Sequence, residues 1–196
     1  MSPAVLKNDT SMRILKAAAE LFDQQGYNAS SVNDIIDKAG ISKPTFYTHF
    51  RSKEELCVAY LQNNRKNDME DFRVLAESMD EPMKRFLSPF DALLERMKSS
   101  NYRGCRYFNM LSEVVDNTTS IAQEVRHFND RFRAHLRDLT LDLKESDARY
   151  ANIDPDRIVT LYALLFGGAI MASQEFESVA PVLMARKELR ILVQQG

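Results

Sequence analysis

Apolar positions recur along this chain in steps of three and four residues, with no sustained alternation, so the pattern predicts helices throughout. Ile14, Leu15, Ala18, Leu21 and Phe22 share one face of a first helix from about Ser11 to Gln25, and Gly26 follows as a stop. Val32, Ile35, Ile36 and Ala39 mark a short second helix ending at Gly40, with Ser31 placed to cap it and Asp34 to close a capping box. After Ile41, Ser42 caps a third helix whose Pro44 sits early, where a missing N–H costs little. Ser52 with Glu55 then opens a longer helix through Leu56 and Tyr60 toward Phe72.

Five further helical patterns follow. Met83, Phe86, Leu87, Phe90, Leu93, Leu94 and Met97 form one stripe, interrupted by Pro89, whose ring predicts a kink and a freed Arg85 carbonyl. A short segment runs from Cys105 to Val115 after Gly104. Ile121, Val125, Phe128, Phe132, Leu136, Leu139 and Leu143 outline a long amphipathic helix. Asp154-Pro155 starts the next, and the last covers Val179 to Gln194. The predicted fold class is all-α, without internal repeats.

Composition narrows the picture by what it excludes. Cys57 and Cys105 supply neither a disulfide framework nor a metal quartet, and no metal or cofactor is expected. The longest apolar run, Leu161 to Ser173, contains two glycines and is too short for a bilayer, and Met1 to Thr10 lacks the pattern of a signal peptide. A reducing cytoplasm fits these features, with no membrane partner. Net charge is −2, yet residues 1–53 carry seven Lys/Arg against five Asp/Glu, a small hint that the N-terminal part meets an anion.

The run Ser-Lys-Pro-Thr-Phe-Tyr-Thr-His-Phe from Ser42 carries the chemistry. Phe46 and Phe50 lie one turn apart and are expected to face inward, against Ile35, Leu21 and Phe22. Lys43, Thr45, Tyr47 and His49 are then left outside near the helix start, where a recognition helix reads base edges. Thr45 and the Pro44 ring suit a thymine methyl as well as hydrogen bonds. Tyr47, His49 and Lys53, with the amides at Ser31 and Ser52, suit phosphates.

From Arg13 to Leu61 the chain resembles the TetR family DNA-binding domain. The match includes Leu-Phe-x-x-x-Gly-Tyr from Leu21, Ser-Val-x-Asp-Ile-Ile from Ser31, and Gly-Ile-Ser-Lys-Pro-Thr-Phe-Tyr-x-His-Phe-x-Ser-Lys-Glu-Glu-Leu from Gly40. The resemblance implies a three-helix DNA-binding domain over 8–68, with its helix-turn-helix at about 31–50, and a helical ligand-binding and dimerisation domain over 69–196. It places DNA contacts on Ser31, Asn33, Lys43, Pro44, Thr45, Tyr47, His49 and Lys53. It further implies a homodimer on a near-palindromic double-stranded operator, repression as the sign of control, and coupling through the helix that begins at Ser52.

The last two helices of such proteins form the dimer interface. Tyr162 to Ala172 is apolar all round, and small residues permit close approach, so Leu165, Gly167, Gly168, Ala169 and Met171 are the expected contacts. Phe86, Phe90, Cys105, Phe108, Asn109, Phe128 and Phe132 are the expected lining of a pocket for a small-molecule inducer; the same aromatic spacing also describes plain core. The segment from Gly104 is similar to a Gly-Cys-x-x-x-Asn segment in a branch that includes sensors of reactive electrophiles and oxidants. Arg103 and Arg106 beside Cys105 favour a thiolate, and a small packed cysteine is the other reading. His127 and His135, with Glu124, read as metal ligands or as residues of a charged helix face. Two other classes remain: an all-helical thiol enzyme using Cys105 with His127 or His135, and a helical interaction module without DNA binding.

Overall fold

A computed structural model describes residues 9–114, 116 and 118–195. The expected domain start at residue 8, the end of the 105–115 segment and the final residue 196 lie outside the described residues. Among the described residues there are nine α-helices: α1 (Asp9–Gln25), α2 (Val32–Ala39), α3 (Lys43–His49), α4 (Lys53–Glu77), α5 (Pro82–Ser99), α6 (Arg106–Glu113), α7 (Ser120–Ser146), α8 (Pro155–Phe176) and α9 (Ala180–Gln194). A short 3-10 turn, Ala148–Tyr150, precedes α8 and had no sequence expectation.

The chain divides into two compact units, and the division does not fall at one chain position. The first unit takes the N-terminal stretch through Lys66 together with 106–128; the second takes 67–105 and 129–196. The segment expected to be wholly regulatory therefore lends α6 and the start of α7 to the first unit.

In the first unit α1 packs on α2, and α2 on α3. Ile14, Ala18, Phe22, Ile35, Phe46 and Phe50 are buried there, which is the inward placement the two phenylalanines were expected to have. The turn chemistry follows the expected caps. Ser31 Oγ accepts from the Asp34 amide while Asp34 Oδ2 accepts from the Ser31 amide at 2.8 Å, and Gly40 ends α2 at φ 62°, a conformation that favours glycine. Ser42 Oγ accepts from the Thr45 amide, and Ser52 Oγ from the Glu55 amide. The Glu55 carboxylate reaches back to the Arg51 amide, one residue before the cap.

In the second unit α5 packs against both α8 and α9, and α8 against α9. An aromatic cluster fills the space between them: Phe90 stacks on Tyr162 at 5.0 Å, and Phe166 touches both Phe90 and Phe132. Helix α5 continues through Pro89 rather than breaking. The Tyr162 hydroxyl donates to the Phe86 carbonyl at 3.0 Å, next to the Arg85 carbonyl whose helical donor Pro89 removes. Arg186 on α9 holds Asp91 on α5 by two hydrogen bonds.

Helix α8 corrects the reading of apolar runs. Its 22 residues are long and apolar enough to cross a bilayer by length and composition alone, a test that the core helix of a globular protein also passes. Less than half of its apolar stretch is buried within the chain, so much of the apolar surface of α8 stands uncovered.

Candidate nucleic-acid interface

Burial of Phe46 and Phe50 fixes which side of α3 faces outward. Lys43, Pro44 and Tyr47 are exposed on that side, and Thr45 and His49 are half-buried. Tyr47 packs its ring edge-on against Phe46, with centroids 5.2 Å apart, so a core residue sets its direction. The Thr45 hydroxyl lies 2.7 Å from Ser42 Oγ, which orients it at the helix start. Ser31 and Asn33, at the head of α2, are also exposed. The eight expected contact residues thus fall at the ends of α2, α3 and α4, seven of them on or beside the two helices of the hairpin.

Two of the expected phosphate groups are already engaged. The Ser31 amide is bound by Asp34, because the capping box closes on it. Ser31, through its hydroxyl first and its amide second, holds the Asp34 carboxyl below its ordinary range. Lys53 Nζ donates to the carbonyls of Tyr27 at 2.8 Å and Ser30 at 3.0 Å, and sits 4.1 Å from the centre of the Tyr27 ring. Burial lowers its pKa, against the pull of the nearby Glu113 carboxylate. Lys53 therefore holds the turn before α2, a role its position beside the recognition helix did not announce.

Sequence reasoning missed two further residues that hold this turn and the next. Arg13 Nη2 donates to Ala39 O at 2.7 Å and Gly40 O at 3.3 Å, closing the C-terminal end of α2. Glu113, at the end of α6, accepts from the amides of Tyr27 and Asn28, and its own carbonyl accepts from Asn28 Nδ2. The only sequence signals were a basic residue on α1 and an acidic one on α6, and neither pointed at a partner.

The expected pocket residues do not form one group. Phe86, Phe90 and Phe132 are buried in the aromatic cluster of the second unit. Phe128 belongs to the first unit, stacked on Tyr107 with centroids 3.6 Å apart, and Phe108 is 37% exposed there, with Asn109 beside it. Cys105 precedes α6 and is half-buried. Cys57 is buried against Met110, its sulfur 3.4 Å from the thioether, and burial pushes its thiol pKa well up.

The histidines are separated too. His127 is exposed, 3.6 Å from Glu124, whose buried carboxylate is held chiefly by Arg65 at 2.6 Å. His135 lies in the second unit against Phe72. Among the described residues no group of three or more His, Cys, Asp or Glu is placed to hold a metal ion.

On the uncovered side of α8, Leu164 and Met171 are 65% and 69% exposed, and a side chain added at Gly168 would meet nothing within 4 Å. Phe176, and Leu183 and Met184 on α9, are exposed as well. Leu165 and Gly167 are half-buried, while Ala169 is 4% exposed and spent inside its own subunit. Leu164 takes the outward place that the sequence pattern gave to Ala169.

Comparison with known proteins sets these features in a class. Residues 14–60 match the family described as bacterial regulatory proteins, tetR family. The fold of the whole chain is a TetR-type fold, an N-terminal helix-turn-helix domain with a C-terminal helical domain: E. coli NemR in its reduced form superimposes with a TM-score of 0.82 at 20% identity, covering 94% of this chain and 97% of that one. The chain is 34% identical over 93 residues to the transcriptional activator FasR of Mycolicibacterium smegmatis, covering 46% of this chain and 42% of FasR. It is 33% identical over 84 residues to the transcriptional repressor KstR2 of Mycobacterium tuberculosis, covering 41% and 42%. The chain spans about half the length of the curated relatives it matches first.

Proposed function

We propose that this protein is a TetR-type, DNA-binding transcriptional regulator, acting as a homodimeric repressor in the cytoplasm and released from its operator by a small-molecule ligand or by modification of Cys105. The observation that carries this reading is the outward face of α3, with Lys43, Pro44 and Tyr47 exposed opposite a buried Phe46, within the segment that matches the family. Residues 8–68 act as the DNA-binding domain and 69–196 as the regulatory and dimerisation domain, with α6 assisting the former. Similar proteins named as transcriptional regulators favour this over an enzyme. The sign of control follows KstR2, while FasR is named as an activator.

Thr45, Pro44 and Lys43 read base edges in this scheme, and Ser31, Asn33, Tyr47 and His49 position the phosphates. Lys53 acts from behind, through the turn it holds. A second copy of the chain covers Leu164, Gly168 and Met171 of α8 with Leu165 and Gly167 at the rim, and Leu183 and Met184 of α9. Pairing lets two recognition helices reach successive major grooves about 34–36 Å apart. The name of the NemR structure specifies a reduced form, which supports keeping a thiol route beside a ligand route.

A duplex selected by the protein from a random pool tests the reading. Log affinity should fall steeply with log salt. Tyr47→Ala should weaken all sequences alike, and Thr45→Ala should change which sequences are preferred. Equal binding by both variants would contradict the contact assignment. Release of DNA by an electrophile from a Cys105→Ser chain would remove the thiol route and leave the ligand route.

A further inference from the structure

The turn that leads into α2 draws its polar partners from two other helices. Its donors go to α6: Glu113 Oε1 accepts from the Tyr27 amide at 3.2 Å and Oε2 from the Asn28 amide at 2.6 Å, while Glu113 O accepts from Asn28 Nδ2 at 3.0 Å. Its acceptors go to α4, where Lys53 Nζ binds the Tyr27 and Ser30 carbonyls. Gly26 opens the seat. It has φ +89°, and a Cβ there would stand 2.5 Å from Glu113 Oε1, so the carboxylate rests where only a glycine leaves room. Successive amides turned toward one carboxylate make an anion-binding concavity, here filled by the chain's own α6. All these residues lie in the first unit.

We infer that Glu113 is a positioning residue for DNA binding: its carboxylate, seated on the Tyr27 and Asn28 amides, fixes the start of α2 and makes operator affinity depend on where α6 sits. The inference rests on the DNA-binding reading above and adds to it a residue far in sequence from the helix-turn-helix. The reasoning is geometric. Ser31, the cap of α2, follows this turn directly, and Ser30 is tied back to the Gly26 carbonyl through its hydroxyl at 2.7 Å. Three hydrogen bonds from one residue leave the turn little freedom while α6 is in place. Moving α6 by an ångström or two strips two amides and a side-chain amide together, and the turn before the cap of α2 is then held only by Lys53 and the Ser30 hydroxyl.

Glu113→Ala and Glu113→Gln in the full chain test this, read by amide hydrogen exchange, thermal melting and affinity for the selected duplex across a salt series. Loss of a charge-assisted pair of hydrogen bonds should speed exchange at Tyr27 and Asn28 and weaken DNA binding about tenfold in Glu113→Ala. The slope of log affinity against log salt should stay that of the parent, because no phosphate contact is removed. Glu113→Gln keeps the shape and one acceptor, so it should recover part of the affinity; that graded rescue separates positioning from a bulk stability effect. Binding by Glu113→Ala as tight as the parent's overturns the inference alone. So does weakened binding in both variants that only tracks a lowered melting temperature, with exchange accelerated everywhere. A parent that ignores every duplex at low salt overturns the regulator reading and this inference with it.

Discussion

In the first unit, the charged side chains of Arg13, Lys53 and Glu113 end on main-chain atoms around α2: Arg13 on its end, Lys53 and Glu113 on the turn before it. In the second unit charged side chains reach main-chain carbonyls as well, Lys144 at Ile153 and Arg85 at Met79 and Asp80, but the α5–α8 contact is made by stacked rings and a tyrosine hydroxyl. The difference follows from what each has to present. Short helices of seven and eight residues offer little surface to pack, so their ends and turns must be held by polar contacts at defined points. Longer helices bury aromatic stripes between them, but they leave an apolar face of α8 and α9 without cover. One region holds exposed side chains on short, pinned helices; the other leaves part of its apolar surface uncovered.

The sharpest way to break this comparison is to charge the uncovered face. Leu164→Glu with Met171→Glu changes two outward positions that touch little within the subunit. An unpaired buried carboxylate costs about 3–5 kcal/mol, so a pair should shift a monomer–dimer equilibrium by roughly a thousandfold or more. Sedimentation should then report monomers with an unchanged helical content. A doubly charged variant that remains dimeric would place the interface elsewhere.

Next in size is the first unit itself. Phe46 is fully buried, and Phe→Ala in a core costs about 3–5 kcal/mol. Phe46→Ala should melt the first unit and abolish DNA binding, while the second unit keeps its own transition in a calorimetric scan. A single transition that moves as a whole would mean that the two units do not differ in the way described.

Tyr162→Phe addresses the second unit in the same manner with a smaller effect. The ring and its stack on Phe90 remain, and only the hydroxyl on the Phe86 carbonyl is lost. Within α5 the Phe86 carbonyl keeps the N–H of Phe90 one turn on, so losing the hydroxyl should cost about 0.5–1.5 kcal/mol, visible as a lower denaturant midpoint for the second unit alone. No change in that midpoint would show that the hydroxyl adds nothing to the stability of the second unit.

How much of this was legible follows the same line. Helices α1 to α3 and their caps were readable because capping residues, glycine stops and apolar periods all act within four residues. The outward face of α3 was readable because Phe46 and Phe50 define its opposite. Glu113 and Asn28 are 85 residues apart, and a side chain that ends on a distant backbone amide leaves no periodic trace. The Lys53 ammonium was assigned to a phosphate for the same reason: charge and position were visible, the two carbonyls it meets were not. In the second unit the aromatic stripe announced burial, but packing alone does not say which rings share a cluster, and Phe128 went to the other unit.

The smallest expected effect concerns His135, the one histidine in the second unit, and it tests whether that unit carries any pH sensitivity of its own. Its ring stacks on Phe72, its Nε2 is buried without a hydrogen-bond partner, and burial lowers its pKa below the ordinary 6.5, with Asp138 pulling the other way. The folded chain therefore resists a proton that the unfolded chain accepts. Well above pH 6.5 both states are neutral at this residue and stability is unaffected. As pH falls below 6.5 the unfolded state takes up the proton first, so stability is lost until the folded pKa is passed. His135→Leu removes that titration, and its melting temperature should fall less than the parent's between pH 7.5 and pH 5.5, while the transition of the first unit moves equally in both. Identical acid-side losses in parent and variant would mean that the histidine protonates freely in place, and that the second unit's core is open to water along α7.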